Sequence, residues 1–381
     1  MKGTLTVKEK SAYNCSQLTA HSSQLTAPSI VENSSNIAVS VIIPSYNAEK
    51  YIEAAVQSVL SQTLSNIELI IIDDKSSDNT WNIVSELNDN RIVKTRRNEN
   101  SGSPYIPVEE ACAMARGRFI VVMGDDDLLD KDYLKILFDR AEAQGLDICT
   151  SQLVFADSEC RTMGFVLPDD KFDFDKIYSG EEACSMTIPD WKINMNGALI
   201  KNEIYNRALK KYHKPGKRQM YNDETLSRVL LLEADKVAVC AARYIFRANP
   251  TSSTRKFAFR NFGFRQSNED LRRIISSHFG SHSKEANDME LYDCRNWYSK
   301  AKEFFYAVHK GWIEEEYFYD GIRELKMWHN NIDFDAALSS GLGLRKKIVM
   351  QSFSLTFLYC ILKKPYPSVI RLMIKGLFRK K

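Results

Sequence analysis

The sequence predicts an α/β fold, a Rossmann-like and mostly parallel sheet with helices on both faces, followed by a C-terminal helical appendage. Two observations carry this prediction. Runs rich in Ile and Val alternate with helical patterns at roughly thirty-residue spacing, as in a parallel sheet covered by helices. From Phe257 to Asn330 the pattern becomes helical, charged and aromatic. A chain of 381 residues is long enough for one large domain with appendages or for two domains.

Up to residue 115, short apolar runs predict strands, and apolar residues three or four positions apart predict helices. The predicted strands are Val39–Pro44, Ile67–Ile72 and Arg91–Thr95, and the predicted helices lie at 52–60, 78–87 and 108–115. Asp78 is interpreted as the N-cap of the second helix.

After residue 127 the predicted elements are less regular. They are a helix at 133–141 ended by Gly145, a strand at Asp147–Phe155, a polar loop at Asp157–Gly180 that could act as a lid, a helix that starts at Asn222, a strand at Val237–Cys240 and a polar loop at Tyr244–Thr254.

The two ends of the chain differ from this pattern in composition. Residues 1–36 are rich in Ser, Thr and Asn and repeat Ser-Gln-Leu-Thr-Ala at 16–20 and 23–27, which predicts a flexible leader. Residues 345–381 contain ten Lys or Arg and no Asp or Glu. We therefore place the sheet domain at 37–255, the helical appendage at 256–344 and a basic amphipathic tail at 345–381. The tail suits an anionic membrane surface, or it is a core helix with a solvated basic end.

The composition is that of an ordinary soluble protein, with 44% hydrophobic and 27% charged residues and a net charge of +3. This balance gives no sign of binding to nucleic acid, and we expect no such partner. Eight cysteines occur without a Cys-x-x-Cys pair, which predicts a reduced, cytosolic setting rather than a zinc cluster. The sequence shows no signal-peptide pattern, and no stretch approaches the ~20 apolar residues of a membrane-spanning helix.

Three carboxylates, Asp125, Asp126 and Asp127, directly follow the apolar run Phe119–Met123. Adjacent like charges at the end of a buried strand are tolerated if they are fully solvated or if a divalent cation binds them. The carboxyl ends of strands form the ligand crevice of open α/β sheets, which favours the cation. The alternative is an acidic turn that caps the next helix.

Two further loops at predicted strand ends carry polar residues that suit a nucleotide ligand. Tyr46 offers a flat face for a base, and Asp73 or Asp74 can accept a hydrogen bond from a base N–H or a ribose hydroxyl. If the three loops share one crevice, the acid triplet supplies hard oxygen ligands for Mg²⁺ or Mn²⁺, which pair with substrate phosphates. Taken singly, Tyr46-Asn47 could be turn residues and Asp73-Asp74 a pair of helix-capping acids.

Asp223 and Glu224 are the candidates for a general base, because they open a predicted helix whose dipole keeps a carboxylate ionised. They could also be simple first-turn acids. The sequence has no Ser/His/Asp-like arrangement of a hydrolase and no Gly-rich phosphate loop.

Four segments together resemble the family 2 glycosyltransferases, which have the GT-A fold: Val39–Asn47, Glu68–Thr80, Ala115–Asp127 and Tyr244–Ser253. The resemblance covers about residues 38–255. It implies that Pro44, Tyr46, Asn47, Asp73 and Asp74 hold the nucleoside, and that the Asp125–Asp127 cluster binds metal and diphosphate, with Asp126 and Asp127 as the metal ligands and Asp125 beside them. It also places Arg247 near the diphosphate and the catalytic base at Glu224 or Asp223.

The sequence departs from the family pattern at several positions. Gly124 stands where many members have the first Asp of Asp-x-Asp, so Asp126 is the preferred metal ligand. Lys75 replaces a common Gly, Ile106–Glu110 replaces the common Ala-Arg-Asn segment, and the late acid pair reads Asp-Glu instead of Glu-Asp. The Thr-Leu that follows this pair favours Glu224 as the base.

The resemblance implies an inverting, metal-dependent hexosyl- or N-acetylhexosaminyl-transferase that uses Mn²⁺ or Mg²⁺. The expected donor is a nucleotide-diphospho-sugar, with UDP first, and the expected acceptor is a saccharide or lipid-linked saccharide at the cytoplasmic face of a bacterial membrane. The alternatives are a nucleotidyltransferase and a non-catalytic nucleotide-sugar-binding protein.

Overall fold

The computed structural model describes residues 37–157, 159–168, 173–188, 190–212, 222–249, 257, 259–344, 352–353 and 366–378. The described residues form two compact units. The sheet unit contains those up to 183, those at 192–212 and those at 229–249; the helical unit contains those at 184–191, at 222–228 and from 257 onward. The predicted leader and most of the predicted tail lie outside the described residues.

The strands in chain order are β1 (Val39–Ser45), β2 (Ile67–Asp73), β3 (Ile92–Arg96), β4 (Phe119–Val122), β5 (Leu128–Leu129), β6 (Ile148–Ala156), β7 (Thr162–Leu167), β8 (Leu199–Lys201) and β9 (Val237–Arg247). The α-helices are α1 (Ile52–Leu60), α2 (Thr80–Glu86), α3 (Tyr105–Met114), α4 (Tyr133–Gln144), α5 (Gly180–Ser185), α6 (Asn202–Tyr212), α7 (Asn222–Leu232), α8 (Gly263–Phe279), α9 (Lys284–His309), α10 (Phe318–Asn330), α11 (Phe334–Ser339) and α12 (Pro367–Phe378). Short 3₁₀ turns lie at Phe259–Phe262 and Glu315–Tyr317.

The sheet unit is built on one mixed sheet of nine strands in the order β3-β2-β1-β4-β8-β6-β9-β5, with β7 paired to β6. Strands β1 to β4 pair in parallel, as do β6 and β9, whereas β5, β7 and β8 pair antiparallel to their neighbours. All seven residues of β2 are buried. This explains its continuous apolar sequence, because both faces of a central parallel strand are covered.

The helical unit has its own aromatic core. Trp297, Phe304, Phe318 and Trp328 are each at most 1% exposed, and the rings of Phe304 and Phe318 stack with centroids 6.0 Å apart. The Trp328 indole donates to the buried carboxylate of Asp293 over 2.6 Å, so the polar edge of this large ring is satisfied where it is buried. Val369 and Leu372 of α12 also pack in this core.

The predicted alternation of strands and helices is confirmed up to β6, and α4 ends as predicted at Gly145, which has a left-handed φ of 63°. The N-cap of α2 is Asn79 rather than Asp78, although the Asp78 carboxylate accepts from the Thr80 N–H over 3.0 Å. A helix end commonly shifts by one residue in this way.

Two predicted loops are wrong. The range Asp157–Gly180 contains β7, an edge strand whose Met163 is 74% exposed, so it lacks the buried apolar pattern that predicts a strand. The predicted loop from Tyr244 is still strand up to Arg247, because Tyr244 and Ile245 pair with β5 and are buried. Residues 250–254 of that loop lie outside the described residues.

Gly197, two residues before β8, allows the buried side chains of Tyr133 and Tyr244 to pack close to the main chain. Gly197 has a φ of +70°, and a Cβ on it would lie 2.3 Å from Tyr244 Cδ2 and 2.8 Å from the Tyr133 hydroxyl. That hydroxyl donates to the carbonyl of Gly197 over 2.9 Å. Only a residue without a side chain fits here, since the neighbouring rings are buried in the core.

We expect Gly197→Ala to lower the free energy of unfolding by about 2–4 kcal/mol, because it adds a steric clash to the strain of a positive φ. Gly145→Ala is the matched control: its φ is +63°, but a Cβ there meets nothing within 4 Å, so only about 1 kcal/mol is lost. Urea unfolding of both variants measures the difference, and equal losses would contradict the proposed packing role.

Candidate active site

The carboxyl ends of the parallel strands bring the predicted loops together. Ser45 of β1 lies opposite Asp73 of β2, which lies opposite Arg96 of β3. The loop after β4 joins this edge, because the Tyr46 N–H donates to Asp125 Oδ2 over 3.0 Å. The first and third predicted loops are thus hydrogen-bonded directly to each other, at the position where open α/β sheets bind ligands.

The first loop is fixed by Asn47 and leaves Tyr46 accessible. Asn47, in a left-handed conformation with φ 55°, donates its N–H to Ser76 Oγ over 3.0 Å and accepts from the Ser77 N–H over 2.8 Å. The Asn47 amide therefore ties the first loop to the second. Tyr46 is 49% exposed, an unusual state for a large aromatic residue, and its ring is available for stacking. Pro44 precedes this loop in β1 and pairs with Ile72.

The paired acids of the second loop are buried and engaged by the protein. Asp73 forms an ion pair with Arg96 over 3.0 Å and accepts from the Ser76 N–H over 3.2 Å. Asp74 accepts from four donors: Arg97 Nη1, Asn100 Nδ2, and both the N–H and the hydroxyl of Ser101. A carboxylate offers about four acceptor positions. Asp74 therefore orders the loop that follows β3. Asp73 has fewer hydrogen-bond partners, and its side chain is fully buried.

The three acids of the triplet have different partners. Asp127, 4% exposed, accepts from the Tyr244 hydroxyl over 2.6 Å and from the Arg247 N–H over 3.1 Å. Asp126 is half-buried, and its Oδ2 accepts from the Asn249 side chain over 2.9 Å. Both oxygens of Asp127 are thus bonded within the protein, so Asp126 is the better placed of the two predicted metal ligands.

The triplet is electrostatically strained. Burial, and after it the charge of Asp126, raises the pKa of both Asp125 and Asp127 to about 7. Hydrogen bonds from Tyr46 and Tyr244 offset only part of this cost. A cation bound at Asp126 would stabilise the ionised form of all three carboxylates, because its positive charge attracts groups that otherwise repel one another.

Arg247 is buried as well, with 3% exposure. Its Nε donates to the Asp126 carbonyl over 2.7 Å, its Nη2 donates to the Tyr51 carbonyl over 3.2 Å, and its guanidinium lies 4.9 Å from the centroid of the Tyr51 ring. Arg247 therefore holds the acid loop against the start of α1, and it places a positive charge directly behind the triplet.

Sequence reasoning did not assign Tyr244, Asn249 or a role for Gly124 in the site. The Tyr244 hydroxyl accepts from the Gly124 N–H over 3.1 Å while it donates to Asp127. A Cβ at Gly124 would lie 2.8 Å from Asp127 Oδ2 and 3.0 Å from Asp126 Oδ1. A side chain at 124 would therefore require the Asp126 and Asp127 carboxylates to shift. The Tyr-x-x-Arg spacing of Tyr244 and Arg247 could have pointed to the role of Tyr244, but the sequence from Tyr244 onward was interpreted as a polar loop.

The residues fit a cation that is shared with a ligand rather than one enclosed by the protein. Within the described residues, no group of three or more His, Cys, Asp or Glu side chains is arranged to hold a metal ion. Mg²⁺ typically needs only one or two carboxylates when substrate phosphates complete its shell. Asp126 suits that role. Metal binding itself stays a prediction.

The predicted base pair lies in the helical unit, at the start of α7. Asp223 is exposed and Glu224 is 27% exposed at its side chain. Glu224 Oε2 accepts hydrogen bonds from Trp191 Nε1 over 3.0 Å, Arg228 Nη1 over 2.7 Å and the Tyr292 hydroxyl over 2.8 Å. Sequence reasoning missed these three partners.

The raised pKa of Asp125 predicts how stability depends on pH. Asp125 holds its proton more tightly in the folded protein than in the unfolded chain. The free energy of unfolding therefore falls as the pH rises from the ordinary pKa of an aspartate toward the folded value of about 7. Asp125→Asn keeps an acceptor for Tyr46 but removes the charge. We expect it to be more stable than the parent at pH 8 by about 1–2 kcal/mol, and the gain to vanish near pH 4.

Urea unfolding across this pH range measures the difference. Asp139→Asn serves as the control, because Asp139 lies on α4 in an exposed ion pair with Lys135. A gain for Asp125→Asn that does not change with pH would contradict the prediction.

Comparison with known proteins identifies a family and a fold. Residues 40–199 match the family model described as glycosyl transferase family 2. The glycosyltransferase GlyG of Streptococcus pneumoniae is 26% identical over 225 residues, which cover 57% of this chain and 73% of GlyG. WfaP of Escherichia coli, a UDP-Glc:alpha-D-GlcNAc-diphosphoundecaprenol beta-1,3-glucosyltransferase, is 43% identical over 91 residues, which cover 23% of this chain and 35% of WfaP. The matched segment thus spans about a third of that relative.

Solved structures give the fold. The crystal structure of Staphylococcus aureus TarS residues 1–349 with UDP-GlcNAc matches 89% of this chain and 92% of that chain with a TM-score of 0.62 at 16% sequence identity. The complex of the same protein with UDP gives a TM-score of 0.60 at 17% identity. The mixed sheet, its helices and the C-terminal helical region correspond to the GT-A architecture. Residues 40–199 of this chain therefore match the family 2 glycosyltransferase domain, and the structure has the GT-A fold.

Proposed function

We propose that this glycosyltransferase moves a hexosyl or N-acetylhexosaminyl group from a UDP-sugar to a hydroxyl of a saccharide or lipid-linked saccharide, in the synthesis of a bacterial surface polysaccharide. The observation that carries the proposal is the hydrogen bond from Tyr46 to Asp125, which joins an exposed aromatic ring to the acid triplet at the strand ends. A nucleoside diphosphate needs these two features side by side: a flat surface for the base and a cation site for the phosphates.

The names of relatives support the donor and acceptor classes. WfaP is named for UDP-glucose and a diphosphoundecaprenol-linked acceptor. TuaG of Bacillus subtilis is named as a putative teichuronic acid glycosyltransferase, and TarS as a poly(ribitol-phosphate) N-acetylglucosaminyltransferase. Solved TarS structures hold UDP-GlcNAc and UDP.

In the proposed donor complex the uracil stacks on Tyr46 and the ribose or base contacts Asp73. Asp126 holds the cation, Mn²⁺ or Mg²⁺, whose contribution when bound is to neutralise the diphosphate as it leaves. The buried charge of Arg247 lies behind the Asp126 carbonyl and favours the same phosphates. Asp74 and Asn47 keep the surrounding loops in place.

The transfer is proposed to invert the anomeric centre. Glu224, or Asp223 beside it, accepts the proton of the acceptor hydroxyl while the hydroxyl oxygen forms a bond to the anomeric carbon. The bond between that carbon and the diphosphate oxygen breaks on the opposite face, and the electron pair leaves with UDP. The N-terminus of α7 favours negative charge at its first turn, whereas desolvation and the neighbouring charge of Glu224 raise the pKa of Asp223 to about 6.

Asp126→Asn tests the donor site. We expect kcat/KM for the preferred UDP-sugar to fall about 10²–10³-fold, because the diphosphate loses its main electrostatic partner. The Mn²⁺-dependent increase in melting temperature on addition of UDP should also disappear. Asp139→Asn is the control and should behave as the parent in both assays.

The same assays separate the alternatives. Pyrophosphate release from a nucleoside triphosphate would support a nucleotidyltransferase. UDP-sugar binding with neither transfer nor donor hydrolysis would support a non-catalytic binding protein. Full activity of Asp126→Asn without added metal would exclude the proposed metal role.

Peripheral attachment to an anionic membrane is proposed through the basic charge of residues 345–381 rather than through insertion. Val369 and Leu372 of α12 pack in the helical core, so the apolar side of this helix is already in use. Within the described residues, no helix has both the length and the apolar character needed to cross a bilayer. Each Lys or Arg near an anionic surface contributes about 1 kcal/mol at moderate salt.

Replacing Arg345, Lys346 and Lys347 by Gln should weaken binding to phosphatidylglycerol vesicles about 10- to 100-fold in a sedimentation assay, because three favourable charges are lost. Binding of the parent should fall as salt rises. Replacing Lys300, Lys302 and Lys310 of the helical unit by Gln is the charge-matched control. Equal loss in both triple variants would show that net charge alone, and not the tail, attracts the vesicles.

A further inference from the structure

The hydrogen bonds that hold Glu224 within the described residues reach only one of its two oxygens. Trp191 Nε1, Arg228 Nη1 and the Tyr292 hydroxyl lie 3.0, 2.7 and 2.8 Å from Oε2. These donors come from the segment before β8, from α7 and from α9. Three donors from three parts of the chain fix the plane of the carboxylate, and the side chain is still 27% exposed.

Arg228 itself is held more tightly than a surface cation. Its side chain is fully buried, and its guanidinium lies 4.3 Å from the Trp191 ring centroid and 4.8 Å from that of Tyr292. Nε donates to Thr187 Oγ1 over 3.1 Å and Nη2 to the Thr187 carbonyl over 2.8 Å. The two rings act as a clamp on the flat faces of the guanidinium while its edge is hydrogen-bonded.

Stability alone does not explain this arrangement. A buried ion pair recovers little more than the cost of removing its charges from water, and apolar residues of similar volume often serve stability better. A precisely oriented carboxylate is a known requirement of general-base catalysis, because the base must reach the proton within about 2.6–3.2 Å.

We propose that Arg228, Tyr292 and Trp191 are positioning residues that hold Glu224 through Oε2 and leave Oε1 to accept the proton of the acceptor hydroxyl. The inference rests on the proposed function and assigns the base to Glu224, with Asp223 as its exposed neighbour. The three hydrogen bonds fix the orientation of the carboxylate before the acceptor arrives.

Tyr292→Phe and Arg228→Lys test the positioning role in acceptor kinetics. We expect kcat to fall about 10- to 100-fold while KM for the UDP-sugar stays within twofold, since neither residue is proposed to touch the donor. Tyr319→Phe is the matched control: it removes a hydroxyl that donates to the Leu372 carbonyl over 2.8 Å in the same unit. Unchanged kcat in both test variants would overturn the proposal.

The pH profile of kcat distinguishes positioning from a general structural effect. Tyr292→Phe removes one donor to the charged form, so the acidic limb should move to higher pH by about half a unit or more. Among the described residues, the titratable or charged groups that face this carboxylate are Arg228 and Asp223 on α7 and Tyr292 on α9. Tyr319→Phe should leave the limb in place. A limb that does not move in Tyr292→Phe contradicts the assignment.

A double-mutant cycle with Glu224→Gln completes the test, measured by single-turnover transfer. If Tyr292 acts through Glu224, adding Tyr292→Phe to Glu224→Gln should change the residual rate less than twofold. Full additivity, or an Asp223→Asn variant that abolishes transfer while Glu224→Gln retains it, would overturn the inference. If the parent protein does not transfer sugar from any UDP-sugar, the proposed function itself is wrong. That outcome is distinct, because it is seen with the parent protein before any variant is made.

Discussion

The geometry of the acid triplet depends on one buried hydroxyl group. The Tyr244 oxygen accepts from the Gly124 N–H and donates to the Asp127 carboxylate, so it joins β9 to the turn that ends β4. Without this bridge, Oδ2 of the 4% exposed Asp127 would lose its donor, and only the Arg247 N–H to Oδ1 would remain, which is costly for a buried carboxylate. Gly197 makes the bridge possible by letting the Tyr244 ring approach, and Arg247 fixes the main chain on the other side.

Charge is handled in opposite ways in the two units. At the triplet of the sheet unit, burial and repulsion destabilise the ionised carboxylates, and either protonation or a bound cation would relieve this cost. At Glu224 in the helical unit, the carboxylate is already matched by a buried guanidinium and two neutral donors. The first arrangement suits a group that must bind a charged ligand, and the second suits a group that must keep a fixed orientation.

The sequence alone predicted the strands and helices whose residues follow a local repeating pattern. Continuous Ile and Val runs identified β1, β2 and β4, and polar residues at their ends identified the loops that the structure joins. Contacts between distant residues could not be predicted in this way. Trp191 and Tyr292 lie 33 and 68 positions from Glu224, and no spacing rule connects them. Strands β5 and β8 have two and three residues, too few to form a pattern, and the pairing of Tyr244–Arg247 with Leu153–Ala156 of β6 joins distant parts of the chain.

The close contact at Gly124 limits how this acid loop can change during evolution. An aspartate at 124 needs the space that the Asp127 carboxylate occupies, 2.8 Å from the position of its Cβ. The two acid patterns are therefore alternative packings of one small volume. A single Gly124→Asp substitution should therefore displace the Asp127 carboxylate from its hydrogen bond with Tyr244.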